Sequence, residues 1–231
     1  MRIDLSRWRH VFKLDPDREL TEEALERLCS SGTHAVIVGG STGVTFDNTV
    51  ELLGRIRRYE LPCVLEVSDL DAIVPGFDLY LIPIVLNASD PRWIVGNQME
   101  AIREYGPMMP WEDIVPEGYV ILNPASTAAR LTGADTTLAA KDVLAYAKLC
   151  DRLLKLPVFY LEYSGTFGDM ELVRRVAAGL ERSRFFYGGG IDRLDKAREA
   201  AGAAHTIVVG NIVYEDLERA LSTVRILEED R

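Results

Sequence analysis

The chain is short of the features that mark several protein classes. It holds only three cysteines among 231 residues. Cys29, Cys63 and Cys150 are odd in number, widely spaced and set in apolar runs. That excludes a disulfide framework and offers no zinc-ligand spacing, so all three read as reduced core residues. Positive charge is in deficit: 26 Lys and Arg face 36 Asp and Glu, for a net charge of −10 and a pI near 4.9. A nucleic-acid binder needs a basic stripe to displace counterions from phosphates, so nucleic acid is excluded as a partner. The same deficit leaves no polybasic anchor for anionic lipid. No apolar run approaches the roughly 18 residues of a membrane span. The charged opening, Met1 to Arg9, lacks the apolar stretch of a signal peptide. A cytoplasmic protein is expected. Linkers, low-complexity tracts and full-length internal repeats are missing as well.

What is present points to one folded unit. Hydrophobic residues at 48% and charged residues at 27% exclude a disordered or fibrous chain. A single domain over residues 1–231 is expected, with just enough length for a (β/α)₈ barrel, which typically takes about 250 residues. Eight short apolar runs read as strands, at 11–14, 35–38, 63–67, 79–85, 119–122, 158–162, 185–187 and 206–209. Such near-continuous runs suit a parallel sheet covered on both faces. Helical patterns lie between them. Thr21 is placed to cap a helix with Glu22 and Glu23 in its first turn, and Leu20 and Leu25 to staple it. Asp90 before Pro91 marks another start. Val143, Ala147, Cys150 and Leu154 share a helical face, as do Val173, Val176, Ala177 and Leu180, and Leu217, Ala220, Leu221 and Val224. One interval breaks the rhythm. Only Ser68 to Asp78 separates the third and fourth strands, whereas a parallel crossover takes a dozen or more residues. The expected fold class is therefore α/β: a modified (β/α)₈ TIM barrel with the third helix replaced by a loop. An open doubly wound sheet is the alternative.

In such a barrel, chemistry sits at the C-terminal strand ends. Those ends hold Lys13 and Asp15, Gly39-Gly40-Ser41, Glu66 and Ser68, Asn87, Asn123, Glu162-Tyr163-Ser164-Gly165, Gly188-Gly189-Gly190 and Gly210-Asn211. The two glycine turns fall after strands seven and eight, where barrels often bind phosphate through backbone N–H groups. Lys13 and Asp15 flank Leu14 and so face one side; they suit either a phosphate and a Mg²⁺ ion or a structural ion pair. Ser41 is either a metal-ligand hydroxyl or a helix cap. Glu162 ends an apolar strand, where a carboxylate must be paired, hydrogen-bonded or functional. Abstraction of a hydroxyl proton competes there with a plain salt bridge. Glu66 carries the same ambiguity. His10, His34 and His205 stand near strand starts, on the face that serves stability. Trp93, Trp111 and Tyr105 read as core.

Taken together, Phe12-Lys13-Leu14-Asp15-Pro16, Val38-Gly39-Gly40-Ser41, Tyr160-Leu161-Glu162-Tyr163-Ser164-Gly165, Tyr187-Gly188-Gly189-Gly190 and Val209-Gly210-Asn211 resemble the geranylgeranylglyceryl phosphate synthase family. Within it, the chain is most similar to the bacterial PcrB-type heptaprenylglyceryl phosphate synthases. The resemblance runs from about Trp8 to the last helix, and the family's barrel also lacks its third helix. It implies prenyl transfer from a polyprenyl diphosphate to the C3 hydroxyl of sn-glycerol 1-phosphate, in ether-lipid synthesis by a homodimer. By motif, Lys13, Tyr160, Leu161, Glu162, Tyr163, Ser164, Gly165, Gly190, Gly210 and Asn211 would hold glycerol 1-phosphate. Asp15 and Ser41 would bind Mg²⁺, and Glu162 would be the base. Ala101 stands where archaeal relatives carry a bulky aromatic, which implies an open groove and a thirty-five-carbon tail, with twenty carbons the alternative. Ala72, Ile73, Val74, Phe77 and Leu79 are expected to wall that groove. A membrane-embedded substrate implies transient peripheral membrane contact. The competing readings are a metal-independent phosphate-binding isomerase or lyase, a flavin-binding barrel and a non-enzymatic ligand-binding barrel.

Overall fold

Eight parallel strands close into a barrel in the order of the chain, each paired with its sequence neighbour and β1 with β8. The computed structural model describes residues 3–229, so residues 1, 2, 230 and 231 of the expected domain lie outside the described residues. The strands are β1 (His10–Leu14), β2 (Ala35–Val38), β3 (Cys63–Glu66), β4 (Leu79–Val85), β5 (Ile114–Ile121), β6 (Val158–Glu162), β7 (Arg184–Gly188) and β8 (Thr206–Val209). The alternation of each strand splits the apolar residues into two buried clusters. Val11, Ile37, Val64, Leu81, Tyr160, Phe186 and Val208 fill the barrel interior. Phe12, Leu14, Val36, Leu65, Leu161 and Val209 face the surrounding helices. That geometry is why the strands read as unbroken apolar runs.

The helices are α1 (Glu22–Cys29), α2 (Phe46–Ile56), α3 (Gly96–Tyr105), α4 (Thr127–Thr132), α5 (Ala140–Lys148), α6 (Met170–Gly179), α7 (Leu194–Ala201), α8 (Ile212–Glu215), α9 (Leu217–Ser222) and α10 (Ile226–Glu229). Thr21 caps α1 by accepting the Ala24 N–H, as expected. Asp90 caps only a single 3₁₀ turn, Pro91–Trp93, and α3 begins three residues beyond it. Between β3 and β4 there is no α-helix, only a 3₁₀ turn at Leu70–Ala72. The third helix is replaced by a strap, as the short interval required.

Three expectations need correction. β5 begins at Ile114, five residues before the expected start, because Pro116 and Glu117 hide its first half from an apolar pattern. The α5 pattern runs through Val143, Ala147 and Cys150, all buried, but Leu154 is 44% exposed. A π-helical stretch at Leu149–Leu154 widens the turn there and rotates Leu154 off the buried face. Trp111 is exposed rather than core, and Trp93 and Tyr105 line a cavity. All three cysteines are free and buried. His10 is buried between the Thr33 and Thr223 hydroxyls at 2.9 Å each, at the start of β1, and burial pushes it down to about 3. Among the described residues no helix is long and apolar enough to cross a membrane.

Candidate active site

The C-terminal strand ends open onto one cavity of about 1280 Å³, larger than the usual range of about 300–1,000 Å³ for small-molecule pockets. Lys13, Asp15, Ser41, Tyr160, Glu162, Ser164, Gly165, Gly190, Gly210 and Asn211 all line it, and so does Ala101 on α3. The side chains of Leu161 and Tyr163 do not. Leu161 points outward into the helix layer, and Tyr163 packs 6.2 Å from the Tyr187 ring. The strap contributes Leu70, Ile73 and Pro75 to the wall, while Ala72, Val74, Phe77 and Leu79 are buried in the core. Of the five residues expected to wall a tail groove, only Ile73 does so.

The floor is built from inward-facing positions of β1, β3, β5 and β6. Lys13 does not pair with Asp15; its ammonium pairs with Glu66. Burial disfavours that ammonium, but the carboxylates of Glu66 and Glu162 outweigh it and hold its pKa above the usual lysine value. The Tyr119 hydroxyl donates to Glu162 Oε2 at 2.9 Å. The Tyr119 and Tyr160 rings stack with centroids 4.5 Å apart, so the donor is held by a second aromatic. Burial pushes the Glu162 carboxyl above its ordinary range, opposed by Lys13 and by the Tyr119 hydrogen bond. The outcome is a buried, oriented carboxylate with raised basicity, suited to take a proton from a hydroxyl. Below it sits Glu117, wholly buried, with neither side-chain oxygen hydrogen-bonded. Burial and then the charge of Glu66 push its pKa well above the ordinary range, opposed by Lys13, so the protonated form is favoured there.

Asp15 lies at the mouth. Its Oδ1 accepts the Asp17 N–H at 3.0 Å, and burial raises its pKa. A Cβ on Gly40 would fall 2.4 Å from Asp15 Oδ1, a distance no side chain tolerates. The glycine therefore lets the carboxylate seat against the β2 loop, beside Ser41. Ser41 caps nothing; Thr45 forms the capping box of α2 with Asn48. Among the described residues no cluster of three His, Cys, Asp or Glu could hold a metal. Asp15 and Ser41 thus offer an incomplete set of hard oxygen donors, the kind Mg²⁺ completes with water and substrate phosphate.

The opposite rim is backbone. Gly189 and Gly190 take φ values of 151° and 54°, and a Cβ on Gly190 would meet the Phe167 nitrogen at 2.2 Å. Only glycine permits that interlock of the β6 and β7 loops. Asn123 donates to the Ser164 carbonyl and fixes the β6 loop from below. Lys196, in the first turn of α7, donates to the Gly190 carbonyl at 3.2 Å and pairs with Asp192 at 3.0 Å. Neither Lys196 nor Tyr119 figured in the sequence reading. Lys196 stands six residues after Gly190, and Tyr119 on an inward position of β5 three residues beyond Pro116.

The model of the PcrB family matches residues 3–227. The chain belongs to the PcrB family. The heptaprenylglyceryl phosphate synthases of Bacillus mycoides (strain KBAB4) and Bacillus anthracis (strain CDC 684 / NRRL 3495) are each 55% identical to it, covering 97% of this chain and 98% of theirs. Among solved structures, the (S)-3-O-geranylgeranylglyceryl phosphate synthase of Thermoplasma acidophilum, in complex with sn-glycerol-1-phosphate, superposes with a TM-score of 0.82. It is 26% identical, over 95% of this chain and 94% of that one. Membership of the PcrB family, rather than of the isomerases, lyases or flavin barrels, follows from the near-complete span of these matches.

Proposed function

We propose that the chain is a heptaprenylglyceryl phosphate synthase, transferring a polyprenyl group from its diphosphate to the C3 hydroxyl of sn-glycerol 1-phosphate. One observation carries the reading. A buried carboxylate, Glu162, held by Tyr119, lies in the same cavity as a glycine-built rim and the Asp15–Gly40–Ser41 cradle. Backbone N–H groups around Gly190, Gly210 and Asn211, with Ser164, hold the glycerol phosphate and direct its free hydroxyl inward. Glu162 takes the proton as that oxygen bonds to the allylic carbon. The carbon–oxygen bond to diphosphate breaks, and its electron pair leaves with the diphosphate. Mg²⁺, bound by Asp15 and Ser41, would neutralise the departing charge. Lys13, kept charged by Glu66, supports the anionic state of Glu162 from below.

Ala101 supports a thirty-five-carbon donor, because a small residue leaves the cavity open along α3; a twenty-carbon donor is the second reading. The reading also carries a homodimer and transient contact with a membrane surface, where a polyprenyl chain resides. The test is incubation with Mg²⁺, labelled sn-glycerol 1-phosphate and prenyl diphosphates of graded length, followed by product mass. A thirty-five-carbon ether is expected, and its formation should stop with a chelator. No ether from any donor would sink the proposal, and sedimentation of the purified protein tests the dimer.

A further inference from the structure

The cavity is an unfavourable place for anions. Seven acidic and four basic side chains line it, yet both substrates proposed above are multiply negative. Of the four cations, Lys13 is committed to Glu66 and Lys196 to Asp192. Arg92 sits on the 3₁₀ turn after β4 that leads into α3, away from the β1 loop that carries Asp15. That leaves Arg18, which makes no ion pair with any described carboxylate.

Arg18 is nonetheless firmly placed. The Arg18 N–H donates to the Asp15 carbonyl at 3.1 Å, closing a tight turn that presents the Asp15 carboxylate and the Arg18 side chain together. Its guanidinium lies 3.8 Å from the centroid of the Tyr214 ring. The same tyrosine grips Asp15: its hydroxyl accepts the Asp15 N–H at 2.7 Å and donates to the Asp15 carbonyl at 3.2 Å. A single aromatic on α8 thus fixes both the proposed metal ligand and the cation beside it. A guanidinium stacked on a ring keeps its N–H edge free for bidentate contact with phosphate oxygens.

We propose that Arg18, carried on the Tyr214 ring, binds the diphosphate of the prenyl donor at the cavity mouth and stabilises it as it leaves. The proposal rests on the synthase reading. As the allylic carbon–oxygen bond breaks, its electron pair stays on the bridging oxygen, and the guanidinium meets the charge that appears there. On this assignment glycerol phosphate stays at the glycine rim and Arg18 serves the other substrate. The rival account is that Arg18 only covers Tyr214, a packing role.

The test is calorimetric titration of the purified protein with inorganic diphosphate, with and without Mg²⁺, for wild type, Arg18→Gln and Arg18→Lys. A charge-assisted contact at an exposed position corresponds to about a tenfold affinity change. Arg18→Gln should weaken diphosphate binding about tenfold in both conditions and raise KM for the prenyl diphosphate by a similar factor. KM for glycerol phosphate should stay within about twofold, and Arg18→Lys should recover part of the loss, as a point charge replaces a planar fork. Unchanged diphosphate binding together with a lowered melting temperature would establish the packing role and overturn the proposal. A rise in KM for glycerol phosphate instead would place Arg18 on the other substrate and overturn it equally. The synthase reading fails separately, through absence of the ether product from the wild type.

Discussion

Tyr119→Phe removes one hydroxyl and little else, because the ring keeps its stack on Tyr160 at 4.5 Å. What disappears is the 2.9 Å hydrogen bond to Glu162 Oε2. Donor and acceptor residues are only 5% and 6% exposed, so the bond is made in a largely desolvated setting on the cavity floor. Hydrogen bonds to a charged group contribute roughly 1.5–3 kcal/mol, and one pKa unit corresponds to about 1.36 kcal/mol. The bond favours ionised Glu162, so its loss should raise the carboxyl pKa by about one to two units. A base works only when ionised, so activity is lost as pH falls through that pKa. The acid limb of kcat/KM, which reports the free enzyme, should therefore move to higher pH by about one to two units, with the rate on the alkaline side largely kept. The titration of the phosphate substrate is common to both enzymes and drops out of the comparison. Glu162→Gln, which cannot titrate, should abolish that limb and lower kcat by about 10²–10⁴. An acid limb unmoved in Tyr119→Phe would show that Glu162 is not the group whose ionisation limits the reaction.

Glu117→Gln should be more stable than wild type at neutral pH. The folded-state pKa of Glu117 is raised, so its contribution is full below the unfolded value and is lost as pH rises towards the folded one. Each unit between the two values corresponds to about 1.4 kcal/mol; melting temperatures should converge near pH 4, and a variant less stable at pH 7 would refute the raised pKa. Asp15→Asn should raise the Mg²⁺ concentration needed for half-maximal rate, since a hard cation loses a charged oxygen; an unchanged requirement would confine Asp15 to structure. Ala101→Trp should shift preference towards the twenty-carbon diphosphate. Excluding one isoprene unit costs up to about 4 kcal/mol at 0.8 kcal/mol per CH₂, and an unchanged ratio of kcat/KM for long and short donors would take Ala101 out of the tail groove.

The barrel was legible because its strands are apolar on both faces, and because the eleven residues from Ser68 to Asp78 are too few for a crossover helix. The rim was legible for a related reason: polar and glycine residues interrupt those runs only at their C-terminal ends. The partners on the floor were not. Strand alternation shows that Lys13, Glu66 and Glu162 face inward, while Glu117 lies in the half of β5 that the apolar pattern did not reveal. Which of them meet depends on the stagger of the closed barrel, which no single strand encodes. Lys13 was accordingly weighed against Asp15, two residues away, when its ion partner is Glu66 on β3. The strap misled for a different reason. Val74 and Phe77 look like groove residues in sequence, but the segment turns them into the core and offers Leu70, Ile73 and Pro75 to the cavity. Likewise a π-helical stretch looks like an α-helix until its phase slips.

The strap at 68–78 gives this barrel an unevenly stable wall. A helix would secure that sector with a ladder of i to i−4 hydrogen bonds. Here the Ala72 and Ile73 N–H groups donate at 3.3 Å to carbonyls three residues back, the Gly76 N–H to the Tyr80 hydroxyl at 3.1 Å and the Asp78 N–H to the Cys63 carbonyl at 2.9 Å. The segment is pinned by side chains, Val74 and Phe77 above all, rather than by its own backbone. Local opening is easiest where a segment has few backbone hydrogen bonds of its own, which makes this strap the first sector of the wall expected to open. Lifting it breaks none of the eight strand pairings, so the cavity can be unroofed on one side while the barrel stays closed. Strap amides should accordingly exchange with solvent well before those of β3 and β4.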